Sequence, residues 1–225
     1  MVFLSHWLSE VRGVSELRES YDVHTPDGAF PDHEIASLRP TVRTIFEKCK
    51  SLTYRILTAM AIALGLDRSY FCKRHQQLAS ADNSSCMRLL YYPASPTPRT
   101  PPRAPPPAAA PIRITALLPC YSKTLVVAWR CVKERGGAWV SAQPIPGTIL
   151  VNAGDILQFW TADHFRATEH RVLLSGARNT ARQSVVFFVH PDGEVVVAPV
   201  DGSGRYAART AQEHTTKRFS ETYSF

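Results

Sequence analysis

Histidine is missing from the whole span between His75 and His164, so nothing there can supply an imidazole ligand. Cysteine is scarce. Cys49, Cys72, Cys86, Cys120 and Cys131 make an odd set without a C-x-x-C pair, which excludes a disulfide framework and a zinc knuckle and leads us to expect a reducing, cytoplasmic setting. Long apolar runs are absent too. The stretch Ile56 to Leu66 is too short to span a bilayer, and Met1 to Trp7 lacks the basic and apolar regions of a signal peptide, so no membrane partner is expected. Acidic residues are in deficit, 19 Asp and Glu against 26 Lys and Arg, for a net charge of +7. The basic residues are scattered and not interleaved with aromatics, so charge alone does not make a nucleic-acid partner.

What is present suits one domain with a sizeable core: 225 residues, 44% of them hydrophobic. From Leu38 to Leu66 the apolar positions Val42, Ile45, Phe46, Cys49, Leu52, Ile56, Met60 and Ala63 recur at helical spacing, with Pro40 near the start and Gly65 near the end. This predicts a long amphipathic scaffold helix. A short helix is expected over Arg68 to Gln77, and a buried strand over Cys86 to Tyr92. Short β-rich runs follow at Leu125–Trp129, Ala138–Ala142, Thr148–Val151, Arg171–Leu174, Gln183–Val189 and Glu194–Val197, separated by Gly, Pro and Asn. The pattern predicts an α+β fold with a jelly-roll or barrel core. Asn152, Gly154 and Asp155 read as a tight turn feeding a strand.

Three segments carry chemistry. They are Asn152 to Thr161 (N-A-G-D-I-L-Q-F-W-T), Ala167 to Val172 (A-T-E-H-R-V) and Arg182 to Phe188 (R-Q-S-V-V-F-F). Together with Met87 to Pro93 (M-R-L-L-Y-Y-P), they resemble the iron(II)/2-oxoglutarate-dependent oxygenases, in the isopenicillin-N-synthase-like branch. The resemblance implies a double-stranded β-helix (jelly-roll) core. It implies His170 as an iron ligand, with Arg182, Ser184 and Tyr92 binding 2-oxoglutarate. Fe(II) is then the cofactor, 2-oxoglutarate and dioxygen the co-substrates and a small organic molecule the substrate, with a monomer expected and no catalytic residue beyond the cofactor set. Leu90 departs from the asparagine common in plant members. The residue types suit the roles: Arg182 and Ser184, two apart on a strand, face one side, and a guanidinium grips a carboxylate bidentately. By itself His170 reads as a core or surface histidine, and only the flanking resemblance makes it a ligand. Asp163 and His164 are given no role. The ends resemble the family as well, at Glu16, Ser20 and Tyr21 and over Thr216–Tyr223, while the further N-terminal region usual in members is lacking, so a truncated chain is expected.

The family's H-x-D half of the iron site, in a segment of the form A-H-T-D-Y-G-T-x-T-L-L-x-Q-D, has no counterpart where it belongs. Ser95 to Pro111 is instead rich in proline and alanine, unusual inside a compact domain. Reading the back-translated Ala110 to Cys131 text one nucleotide earlier permits Ala-His-Thr-Asp-Tyr-Gly-Thr-Ala-Thr-Leu-Leu-Phe-Gln-Asp-Phe-Gly-Gly-Gly-Val-Glu-Val-Arg, the family motif in order. The organisation expected is therefore residues 1–93 as helical scaffold and first strand, 94–131 as an out-of-frame segment, and 132–225 as the second half of the jelly roll with its closing helix. As printed, a lone His170 cannot complete a facial triad, so the rival expectation is a catalytically inactive relative, a pseudoenzyme or a binding module. A nucleic-acid-modifying oxygenase is a second rival, favoured by charge alone.

Overall fold

The computed structural model describes residues 5–11, 14–78, 80–94, 120–121, 129–132, 137–143, 145–168, 170–172 and 181–222. The expected strand at Leu125–Trp129 save its last residue, the far end of that at Arg171–Leu174 and nearly all of 94–131 lie outside them. Strands β1 (Ser5–Val11) and β2 (Val14–Val23) form an antiparallel hairpin that apolar periodicity did not announce. Helix α1 spans Leu38–Ala63 and buries Val42, Phe46, Cys49, Thr53, Leu57 and Ala61. The buried line is rotated from the sequence reading: Ile45 and Ala63 are exposed, and Thr53 takes a core position. Past the helix end Gly65 adopts φ +69°, a left-handed conformation that costs a residue with Cβ about 1–2 kcal/mol. The expected helix at Arg68–Gln77 is only a single 3-10 turn, Cys72–Arg74. It is followed at once by backbone tied to another loop: the Asp192 carboxylate accepts from the amides of Gln76 and Gln77, each at 2.8 Å.

Strand β3 (Cys86–Tyr92) lies where expected, and β4 (Cys120–Tyr121), β5 (Trp129–Val132) and β6 (Trp139–Ser141) follow. The run Thr148–Val151 is not a strand; only Leu150 makes an isolated bridge. The N-A-G-D group does not feed a strand either. Gly154 caps a short helix, α2 (Asp155–Trp160), which buries Ile156, Leu157, Phe159 and Trp160. A continuous apolar run of this length fits either element, and packing decides. The chain closes through β7 (His170–Val172), β8 (Arg182–Phe188), β9 (Val196–Val197), β10 (Arg209–Thr210) and helix α3 (Ala211–Thr222).

Five strands form one sheet in the order β1-β2-β3-β8-β4, three form a second in the order β6-β5-β7, and β9 pairs with β10. Mixed helix and sheet is thus the observed class. Helix α1 packs on the five-stranded sheet through Phe46, whose ring meets Phe187 edge to face at 4.9 Å. Phe71 meets Trp160 in the same manner at 5.1 Å, joining the helical side to α2. Such pairs add about 0.5–1.5 kcal/mol beyond the area they bury. Across β2 and β3, Asp22 stands opposite Arg88 and takes a two-pronged hydrogen bond of 2.6 Å per arm, which pins the register.

Candidate functional site

The long β3–β8 ladder brings together the residues that the sequence offers for carboxylate binding. Its antiparallel register sets Tyr92 opposite Arg182 and Leu90 opposite Ser184. Directly opposed residues share a face, and residues two apart on a strand share it too, so Tyr92, Arg182 and Ser184 occupy one patch of one face. Ser184 is buried and Tyr92 half-buried. The β-branched and aromatic run Val185 to Phe188 keeps this strand central: Phe187 is fully buried beneath α1.

His170 stands on β7, in the three-stranded sheet, opposite Cys131 of β5. It is 5% exposed. Burial pushes its pKa below the ordinary histidine value, opposed by the hydrogen bond to the Thr168 carbonyl. That bond runs from Nδ1 at 2.9 Å, and because a carbonyl only accepts, Nδ1 carries the proton and Nε2 the lone pair. A neutral ring so fixed is the form a metal ligand requires. The Asn152 amide nitrogen lies 3.5 Å from Nδ1, beside the same ring.

Among the described residues the rest of an iron site is not assembled. Among the described residues, no three His, Cys, Asp or Glu side chains group closely enough to hold a metal ion. One His-x-Asp pair exists downstream, His190-Pro191-Asp192, and the fold spends it elsewhere. The Asp192 carboxylate takes the Gln76 and Gln77 amides, and the Asn83 amide lies within 3.4 Å. Burial drives His190 down to about 4, with Asp155 opposing. Among the described residues, the set present thus does not complete an iron site.

Two acidic residues turn out to organise the surroundings. Asp155, at the start of α2, faces α3, with its Oδ2 2.5 Å from Arg218 Nε and 3.5 Å from His214 Nε2. Burial works to raise its pKa, but the His214 and Arg218 contacts outweigh it and hold the carboxyl below the usual range. Asp155→Ala is expected to lower stability by about 1–3 kcal/mol, the cost of leaving the buried His214 ring and the partly exposed Arg218 guanidinium without their acceptor. Urea denaturation of the variant against wild type measures it, and a loss under about 1 kcal/mol would mean the pair is as weak as an exposed one. Asp163, with φ +70°, holds the α2–β7 turn by accepting from Gln158 at 2.6 Å and from Tyr206 at 2.9 Å. Nothing in the local sequence pattern marks Asp163, because its partner Tyr206 lies 43 residues further along the chain.

Residues 83–191 match the profile described as the 2OG-Fe(II) oxygenase superfamily. A UPF0676 protein of Schizosaccharomyces pombe is 29% identical over 223 residues, covering 93% of this chain and 66% of its own length. Leucoanthocyanidin dioxygenase 1 of Oryza sativa subsp. indica is 30% identical over 200 residues, covering 80% of this chain and 48% of its own. The chain therefore spans about half to two thirds of the length of these relatives. Among solved structures, a full-length Neurospora crassa protein crystallised in complex with alpha-KG superposes with a TM-score of 0.80 at 22% identity, over 96% of this chain and 68% of that one. At that identity the likeness speaks for the fold.

Proposed function

We propose that this chain, which belongs to the 2OG-Fe(II) oxygenase superfamily through residues 83–191, comes from a dioxygenase that oxidises a small organic molecule with 2-oxoglutarate as co-substrate. Iron(II) and 2-oxoglutarate are the cofactor and co-substrate of that superfamily. The observation that carries the reading is the register of β3 on β8, which supports one carboxylate-binding patch made of Tyr92, Arg182 and Ser184. Arg182 would hold the far carboxylate of 2-oxoglutarate, where a guanidinium can offer two donors, with Ser184 adding a hydroxyl donor and Tyr92 contributing from across the ladder. The two larger sheets read as the two faces of a jelly roll. His170 would supply one imidazole, and the described residues contain no group of three His, Cys, Asp or Glu side chains that would complete the set.

A setting with free thiols suits Cys49, Cys72, Cys86 and Cys131, all unpaired, and points to the cytoplasm. No helix among the described residues is long and apolar enough to cross a membrane. The test is an anaerobic iron(II) titration of protein purified from the cells that express it, followed by measurement of succinate formed from 2-oxoglutarate. Iron binding with succinate release is the expected outcome. Failure of both favours the second reading, a non-catalytic relative, which the lack of a three-ligand cluster among the described residues brings into view.

A further inference from the structure

We infer that a second small-molecule site lies in the cleft between the end of α1, the α2–β7 turn and the loop around Asp201, and that it takes an apolar α-amino acid in its zwitterionic form. This goes beyond the proposed function and stands or falls independently of it. The cleft has a volume of about 440 Å³, in the range of small-molecule pockets. Tyr92, His170, Arg182 and Ser184 take no part in lining it, so it is separate from the carboxylate patch.

Its walls are fixed before any ligand arrives. Leu64, Leu66 and Val200 line it with apolar surface while packing against the buried core. The Val200 amide donates to the Trp160 carbonyl and the Leu66 amide to the Ala61 carbonyl, each at 2.9 Å, so both loops are tied to helices. The remaining wall is the α2–β7 turn, where Ala162 and Asp163 adopt φ +49° and +70°. Two successive left-handed residues other than glycine persist only where their surroundings over-determine them, and such strain collects at ligand clamps. Here the Asp163 carboxylate supplies the constraint: it accepts from Gln158 at 2.6 Å and Tyr206 at 2.9 Å, and pairs with Arg205 at 2.8 Å.

The charges select the ligand. With Asp163 and Arg205 committed to each other, the lining offers one further cation and one further anion, Arg166 and Asp201, both exposed and neither in an ion pair among the described residues. Asp201 accepts from the Ser203 amide of its own turn at 3.0 Å. Helix α1 adds the negative end of its dipole at Ala63 and Leu64, with no basic residue in its last turn to offset it. Asp201 and the helix end therefore suit an ammonium, and the planar fork of Arg166 suits a carboxylate. A simple carboxylic acid would leave the first pair of features unmatched, and a simple amine would leave Arg166 unmatched. An α-amino acid carries both groups, and an aliphatic side chain covers Leu64, Leu66 and Val200.

The test is calorimetry on the full chain with L-leucine, L-leucinamide, isocaproate and glycine, with the thermal unfolding midpoint followed alongside to catch binding that releases no heat. L-leucine is expected to bind with a Kd of about 1 mM or tighter. Leucinamide lacks the carboxylate, isocaproate the ammonium and glycine the side chain, and each should bind at least about tenfold more weakly. Arg166→Ala should cost leucine about tenfold and leave leucinamide unaffected, whereas Asp201→Asn should cost leucine about tenfold and leave isocaproate unaffected. Both side chains are exposed, so neither substitution threatens the fold. No leucine binding in either readout overturns the inference, as does equal binding of all four compounds or indifference of leucine to both substitutions. Leucine binding that 2-oxoglutarate displaces and Arg182→Ala abolishes also overturns it, because the amino acid would then sit in the carboxylate patch. Loss of 2-oxoglutarate binding with leucine binding intact would leave this site standing and remove the dioxygenase reading.

Discussion

Arg182→Ala is expected to weaken 2-oxoglutarate binding by about 100-fold or more, corresponding to about 3 kcal/mol, while leaving iron(II) affinity nearly unchanged. A guanidinium that meets a carboxylate with two parallel donors on a buried strand is among the stronger contacts a protein makes. Truncation also leaves the ligand's charge unpaired in a patch where Ser184 is almost fully screened from solvent. Arg182→Lys should recover part of the loss, since a point charge remains but the planar fork does not. Ser184→Ala should cost about tenfold, the worth of one hydrogen bond to a charged group. Calorimetry with 2-oxoglutarate on the natively expressed protein, alongside a separate iron(II) titration, distinguishes these outcomes. Equal loss of both ligands in Arg182→Ala would show that the arginine supports the fold and does not bind the carboxylate.

Acid is expected to undo the fold well above the pH at which carboxylates titrate. His75 and His190 are both buried, and burial lowers each to about 4 from an ordinary value of 6.5. Between those values the unfolded chain takes up a proton at each ring and the folded chain does not. Stability contributed by these sites is therefore complete above pH 6.5 and falls as pH drops toward 4. Each pKa unit corresponds to about 1.4 kcal/mol, so each ring accounts for about 3 kcal/mol across the window. His75 cannot easily escape, because Nδ1 bonds the Phe71 carbonyl at 2.8 Å and the ring stacks on Trp160 at 6.2 Å. Asp155 works against the trend in His190 and itself stays ionised until lower pH. Urea midpoints at pH 7.5, 6, 5 and 4.5 should fall steadily for wild type, and the slope should flatten in His75→Gln and His190→Gln. A midpoint independent of pH over this range would contradict the assignment of neutral buried rings.

How much of this was legible in the sequence depended on distance along the chain. β3 and β8 could be read because each is a short run of β-branched, aromatic and long apolar residues bounded by turn formers. Helix α1 has a strong period over many turns, yet the period alone left its buried face uncertain by part of a turn. The β1–β2 hairpin escaped notice because Ser, Glu and Arg fill it, leaving little apolar alternation. For α2 the sequence supplied a bare apolar run, and only packing on Phe71 and α3 decided helix against strand. The candidate carboxylate patch was legible in residue identity, while the pairing of Tyr92 with Arg182 depended on register between distant segments. The Asp155 clamp joins residues far apart in sequence, and the His190-Pro191-Asp192 pair would have looked like a metal motif until its contacts were seen.

The contact between Asp155 and α3 has a bearing on how the protein is born. A ribosome delivers Asp155 and the core around Trp160 well before His214 and Arg218, so for part of synthesis a carboxylate destined for burial has no cation to meet it. Residues up to Trp160 can collapse early, but the docking of α2 cannot be final until α3 arrives. Nascent chains halted between residues 165 and 210 should accordingly remain open to protease at α2 and close only when the last helix is released.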